Sequence, residues 1–362
     1  MLTLDLTPSQ SPSFKCEVLN KVRVCPTPAA SINNRLSSNN RCPMNRRHFF
    51  TSAAALGLAS VGNTQEPAPA APPPHPHRRV KLSISTYSFR NLPDKATLVE
   101  KTIEQAVTHG TDAVEIAYDH MQMEKKLPLE DGAKAYCRNL RRLAFRSGVN
   151  VAALTYYTNF VSPDPNVREE TVKNVIHTLE IADRLGASCL CLNPGRWNTI
   201  SDFADYVSKR GLEPSIAGHT DDEAYEWSIA CLRKCVERAT ELGISIAIEN
   251  HWGLSRTPEG LLKILAAFET PFVGALMDTG NFLEDPYEKL TQIAGKTIFV
   301  HAKTYCGGGE WFTLDLDYNR IATILSRANY TGYVSLEMEG KEEPLAAVGK
   351  SIELLKNTKW SQ

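Results

Sequence analysis

The sequence predicts a single-domain (β/α)8 TIM barrel. Three observations carry that expectation. From Lys81 onward, short β-rich runs that end in polar or charged residues alternate eight times with amphipathic helical stretches. Several helical stretches close on a glycine just ahead of the next run, as in His109-Gly110-Thr111, Ser147-Gly148-Val149, Leu185-Gly186-Ala187 and Leu242-Gly243-Ile244. Glycine favours the position past a helix C-terminus, where φ turns positive. The first run is followed by Tyr87-Ser88-Phe89-Arg90. A doubly wound nucleotide-binding sheet would place a Gly-rich phosphate turn there.

Taken along the chain, the first segment is a leader. Residues 1–43 are rich in Ser, Asn and Pro without apolar period, and are expected to be disordered, or an over-extended start with Met44 as the true first residue. Residues 44–64 carry Arg46-Arg47, Phe49-Phe50 and a weakly apolar run from Ser52 to Gly62, the pattern of a twin-arginine export signal. The run is too short to span a bilayer as a stable anchor. The expectation is export by the twin-arginine translocase to the periplasm or another extracytoplasmic space. Residues 65–79 read as a Pro-rich linker. The barrel is assigned to 80–355. Its strands are expected at Lys81–Thr86, Asp112–Ala117, Asn150–Thr155, Ser188–Asn193, Ile244–Glu249, Val273–Asp278, Thr297–Ala302 and Tyr333–Met338. One connection is long, about 27 residues after Asn193 by the chain numbering, and reads as a lid, a binding loop or a plain insertion.

Composition narrows the chemistry. The chain has 362 residues and a net charge of −1, but residues 1–79 hold 9 Lys and Arg against 3 Asp and Glu, leaving 31 basic and 38 acidic residues after them. So acidic a body is a poor partner for nucleic acid. A barrel-type DNA-repair endonuclease would need a His-rich multi-zinc site, and only four histidines lie from His177 to the C-terminus, His177 included. The nine cysteines form no CxxC pair and read as small buried hydrophobes.

In a barrel, side chains at strand C-termini converge on one face. The last four strands end in Glu249-Asn250-His251-Trp252, Asp278-Thr279-Gly280-Asn281, His301-Ala302-Lys303 and Glu337-Met338-Glu339. Glu249, Asp278, His301 and Glu337 each follow apolar strand residues. Three carboxylates brought together there repel one another unless a cation sits among them. One divalent ion satisfies all four groups. Oxygen-rich ligation with one imidazole suits Mn2+ first, with Mg2+, Co2+ or Zn2+ as alternatives. A bound ion of this kind stabilises the enediolate formed when a carboxylate removes a proton alpha to a carbonyl. Glu249 and Glu337 are the candidate proton-handling pair. Lys303 should share the inward face of His301, and with His251, Asn281, Glu115 and Trp252 it is a candidate substrate contact. Tyr87, Tyr156, Trp197 and Trp311 are further rings that can stack on a sugar or pack in the core.

These motifs, with Ala-Val-Glu115-Ile in the second strand, resemble the xylose-isomerase-like barrels, also called sugar phosphate isomerases/epimerases, over about residues 80–355. The resemblance implies one divalent metal on Glu249, Asp278, His301 and Glu337. In the ketose 3-epimerase branch it implies that the two glutamates move protons on opposite faces of the sugar. The chain departs from that branch in carrying Asn281 where it has His, Gly307 where it has Arg and Ser255 where it has Glu. The expected activity is an exported, divalent-metal-dependent sugar isomerase or epimerase acting on a small sugar or keto-sugar. The alternative is a metal-dependent lyase or hydrolase of a keto-bearing glycoside using the same proton abstraction.

Overall fold

The computed structural model describes residues 80–123 and 127–360. The leader at 1–43, the twin-arginine segment at 44–64 and the linker at 65–79 lie outside the described residues. Eight strands form, β1 (Lys81–Ser85), β2 (Ala113–Ala117), β3 (Asn150–Tyr156), β4 (Cys189–Leu192), β5 (Ser245–Glu249), β6 (Val273–Asp278), β7 (Thr297–Thr304) and β8 (Tyr333–Met338). They pair in sequence order, every pair parallel, and β8 closes on β1. Each expected run is a strand, with ends shifted by at most two residues. The largest shift extends β7 to Thr304 and brings Lys303 into the ladder.

Parallel neighbours need crossover connections, and helices supply them: α1 (Leu98–Thr108), α2 (Asp131–Arg146), α3 (Pro165–Leu185), α4 (Phe203–Ser208), α5 (Asp221–Leu242), α6 (Pro258–Leu265), α7 (Pro286–Ala294), α8 (Tyr318–Arg327) and α9 (Pro344–Lys356). Their starts follow local chemistry. Thr220 and Glu223 form a reciprocal capping box on α5, and Asp164 caps α3 ahead of Pro165. Gly186 and Gly243 end α3 and α5 at φ 78° and 70°, a left-handed turn that glycine makes without cost.

Strand alternation divides the core in two. Ala113, Ala153, Cys189, Cys191, Ala247, Leu276 and Phe299 fill the barrel interior. Val114, Leu154, Leu190, Ile246, Ile248, Met277 and Val300 face the helix layer. An eight-stranded interior has room for side chains alone. Small residues on β2–β5 therefore complement Leu276 and Phe299, and this packed plug is the floor of the site above it. Cys231 and Cys235 on α5 are buried too.

The long connection, residues 194–220, is tied down along its length. The Glu213 carboxylate accepts the backbone N–H groups of Asn198, Thr199 and Ile200 at 3.1, 3.0 and 3.3 Å. Arg196 pairs with Glu213 at 3.7 Å and lies 3.9 Å over the Tyr206 ring. At its base, Leu254 N–H donates to the Gly195 carbonyl at 3.0 Å. Gly253 has φ 92°, and a Cβ there would come within 2.5 Å of that same carbonyl oxygen. The insertion is built as a fixed wall at the C-terminal face.

Candidate active site

Register places the chemistry. Asp278 pairs with His301 across β6 and β7, Lys303 with Glu337 across β7 and β8, and Glu249 with Leu276, two residues before Asp278 on β6. With period two, all of these point into the mouth of the barrel. Phe299, one inward position below, meets His301 edge-to-face at 6.0 Å.

The four expected ligands come together around one atom. His301 Nδ1 lies 3.5 Å from Glu337 Oε2 and 3.8 Å from both Glu249 Oε1 and Asp278 Oδ2. His301 Nδ1 and Asp278 Oδ2 are buried and have no hydrogen-bond partner among the described residues. Leaving such atoms unpaired is costly. Glu249, Asp278 and His301 offer ligand atoms within 4.8 Å of one another, Glu337 stands beside His301, and this donor set fits a divalent cation.

Glu115 lies on the far side of the imidazole. Its Oε1 is 2.7 Å from His301 Nε2 and also accepts the Thr155 hydroxyl, and the residue has no exposed surface. This carboxylate orients the His301 imidazole from behind. The position does not suit the substrate contact expected for Glu115, because the imidazole stands between it and the mouth.

Amides hold the carboxylates of the site. Asn193 Nδ2 donates to Glu249 Oε2 at 2.8 Å, and Asn281 Nδ2 donates to Glu249 Oε1 at 3.0 Å. Asn250 clamps β6 by accepting from Asp278 N at 2.7 Å and donating to its carbonyl at 2.9 Å. Asp278 Oδ1 takes the Gly280 N–H at 2.7 Å, and its Oδ2 faces the Lys303 ammonium. Lys303 Nζ is buried among three carboxylates, 2.7 Å from Glu339 Oε1, 3.4 Å from Asp278 Oδ2 and 3.6 Å from Glu337 Oε2.

These surroundings move the protonation equilibria apart. Burial pushes Glu337 up to about 8, reinforced by Asp278 and Glu115 and only partly opposed by His301 and Lys303. Burial also acts to raise Glu249, but His251, His301 and Lys303 outweigh it and hold the carboxyl at about 2. For His301, burial acts to lower the imidazole pKa, while Glu115 and Glu337 overcome it and carry it well above the ordinary value.

The other sequence candidates separate. His251 is half-buried beside Glu249, with its backbone held by the Ser255 hydroxyl at 3.1 Å. Trp252 is 6% exposed and packs under the insertion against Phe203, Tyr206 and Phe312. Tyr156 is buried against Tyr118, and Trp197 donates Nε1–H to Asp221 at 2.7 Å, so both pack rather than face the mouth. Three groups at the site were not singled out from sequence: Asn193, Glu339 and Tyr157. Tyr157 is 42% exposed as a side chain, while the crowding of protein around its hydroxyl, followed by Glu337, Tyr87 and Glu249, raises its pKa above the ordinary value. Its ring stands 6.3 Å from that of Tyr87.

No curated protein matches the chain in sequence. Solved structures with this fold include an L-ribulose 3-epimerase (17% identity, 76% of this chain and 93% of that one, TM-score 0.59). They also include a 3-keto-D-glucoside 4-epimerase from E. coli (16%, 77% and 99%, 0.59) and a D-tagatose 3-epimerase-like protein (20%, 76% and 97%, 0.56). A family model described as xylose isomerase-like TIM barrel matches residues 103–358, well over half of the sequence. With the closed parallel barrel, this establishes that the chain belongs to the xylose isomerase-like TIM barrel family.

Proposed function

We propose that the protein is a divalent-metal-dependent sugar isomerase or epimerase that removes a proton alpha to a carbonyl and passes through an enediolate. The observation that carries this reading is the convergence of Glu249, Asp278 and Glu337 on His301, whose Nδ1 is buried without a hydrogen-bond partner among the described residues. The similar structures, ketose 3-epimerases and a keto-glucoside 4-epimerase, support the substrate class.

Glu249, Asp278, His301 and Glu337 would hold a divalent ion, Mn2+ as the leading choice, and the chemistry it would supply there is Lewis-acid stabilisation of charge on a carbonyl oxygen. The chain's own groups do the rest. Glu249 is fixed by Asn193 and Asn281, so its carboxylate meets the substrate in one orientation. Glu337 is carried on β8, three strands from β5, and approaches from another side. One glutamate removes the proton and the other returns it. Lys303, anchored on Glu339, presents its ammonium beside the ligand carboxylates to a substrate oxygen. Tyr87 and Tyr157 close the β1–β3 side of the mouth. His251 and Asn281 are substrate contacts in this reading, while Trp252 supports the wall.

The departures at Ser255, Asn281 and Gly307 favour keeping a second reading, a lyase or hydrolase of a keto-bearing glycoside that begins with the same proton abstraction. We also propose export of the protein to the periplasm through the twin-arginine translocase, on the strength of Arg46-Arg47. Among the described residues no helix is long and apolar enough to cross a membrane.

The test is elemental analysis of the purified protein followed by a screen of ketoses and keto-glycosides in D2O. Metal bound at one equivalent and deuterium on carbon are expected. Absence of any carbon-bound deuterium across the screen in metal-loaded protein rejects the reading.

A further inference from the structure

Rings run outward from the charged site in an unbroken series. Tyr305 packs against Lys303 and Gly280, and its hydroxyl is buried without a hydrogen-bond partner among the described residues. From Tyr305 the ring centroids step 5.8 Å to Phe312, 5.9 Å to Trp252, 5.6 Å to Phe203 and 5.0 Å to Trp311. Of the inner members, Trp252 is buried and Tyr305 and Phe312 are half-buried. Phe203 and Trp311 are 43% and 47% exposed, although each is a large apolar ring that would ordinarily be buried. They come from different elements, α4 of the insertion and the β7–α8 connection, and meet at 78°.

Two further features mark the pair as a built surface. The insertion that carries Phe203 is pinned through Glu213, Arg196 and Tyr206, so the ring is held in place before any ligand arrives. Glu310, next to Trp311, reaches across the mouth to Arg90 at 3.9 Å, and Arg90 lies 4.6 Å over the Tyr87 ring. Apolar ring faces flanked by a charged donor and a charged acceptor match a pyranose, which has C–H faces and hydroxyl edges. Arg90 and Glu310 already pair with each other, and Arg90 also donates to the Met338 carbonyl at 2.8 Å, so the polar groups beside the rings are fixed in place and can meet hydroxyls, which a lipid or an aryl surface lacks.

We propose that Phe203 and Trp311 form a second saccharide subsite, which stacks a pyranose ring glycosidically linked to the sugar whose oxygens meet Lys303. The substrate class is then a glycoside of at least two rings rather than a free monosaccharide. The inference rests on the sugar reading above, and it deepens that reading by naming the substrate class.

The experiment compares D-glucose with cellobiose and maltose as binding probes on metal-loaded protein by ligand-observed NMR, in wild type, Trp311→Ala, Trp311→Phe and Phe203→Ala. At least one disaccharide should bind roughly 2- to 10-fold more tightly than glucose, the range expected of an aromatic stacking contact. Trp311→Ala and Phe203→Ala should erase that advantage, and Trp311→Phe should restore most of it. Thermal melts report whether each variant is folded. Disaccharides that bind no better than glucose, or not at all, overturn the subsite, as does an advantage that survives Trp311→Ala in folded protein. Deuterium exchange is scored separately. A Trp311-dependent disaccharide preference without exchange leaves the subsite standing and rejects the reaction, while exchange without the preference does the reverse.

Discussion

Replacing Glu115 tests whether a carboxylate with no route to substrate governs the metal. Its Oε1 lies 2.7 Å from His301 Nε2, it also accepts from Thr155, and it has no exposed surface. Glu115→Gln keeps an oxygen for the imidazole N–H but removes the charge. A hydrogen bond to a charged partner is worth about 1.5–3 kcal/mol against about 1 for a neutral one, so the substitution weakens this bond by about 1–2 kcal/mol. Partners of ligand histidines typically tune affinity 10- to 100-fold, about 1.4–2.7 kcal/mol. Glu115→Ala removes the acceptor as well and strands a buried N–H, adding about 1–3 kcal/mol. Alanine should therefore cost more than glutamine. A pH signature accompanies the loss. In the metal-free site Glu115 is the leading group that raises the His301 pKa against the opposing effect of burial. Without it, fewer protons compete with the metal, so the affinity deficit of Glu115→Gln should shrink as pH falls. Competition titrations with a chromophoric chelator from pH 6 to 8.5 read both effects. Wild-type affinity for Glu115→Ala at pH 8 would refute the reasoning.

The same site should make metal binding release protons. In the metal-free state Glu337 is raised to about 8 and His301 well above its ordinary value, so each holds a proton near pH 7 that must leave for ligation. Affinity should rise from pH 6 to 8, and calorimetry in buffers of different ionisation enthalpy should count the protons; a pH-independent affinity speaks against this. The linked stability has a definite sign. A carboxyl raised in the folded state contributes stability that is full below its unfolded value and is lost as pH rises through the folded one. Glu337 should thus weaken the metal-free fold between about pH 4.5 and 8, and added metal should raise Tm more at pH 8 than at pH 6. Gly253→Ala should lower stability by about 1–3 kcal/mol, because φ 92° strains any side chain and the new Cβ meets the Gly195 carbonyl; an unchanged Tm would show that the base of the insertion is not tight. Changing Arg46 and Arg47 together to Lys should hold the protein in the cytoplasm of a twin-arginine-competent host, and normal export of the double variant would reject the signal.

What the sequence disclosed and what it hid follow from range. The strands were legible because each carries its own period and its own terminating polar residue. Glu249, Asp278, His301 and Glu337 were legible because strand ends of one barrel must meet. Lys303 followed from spacing two. The same rule extended past the end of β8 reaches Glu339, which holds the Lys303 ammonium. Tyr157 was hidden by one residue. Tyr156 ends β3 and packs against Tyr118, and the next position faces the mouth. The place of Glu115 was out of reach because its partner is 186 residues away, on a strand that does not pair with its own. No local pattern reports a contact across the barrel interior. Trp252 read as a sugar contact because an aromatic ring near a strand end can stack on a sugar face. The insertion that covers it is anchored by Glu213, whose role emerges only when the backbone it caps is seen.

The central claim is that Glu249 and Glu337 move a carbon-bound proton with the help of a metal they jointly hold. It is tested most directly by solvent deuterium uptake, followed by NMR, into ketohexoses and 3-keto-glucosides in D2O with Mn2+-loaded protein. The account predicts deuterium at the carbon alpha to the carbonyl, loss of uptake on chelation, and a fall of at least about 10²–10⁴-fold in Glu249→Gln and in Glu337→Gln. Uptake that persists without metal, or near wild-type uptake in both glutamine variants, would contradict it.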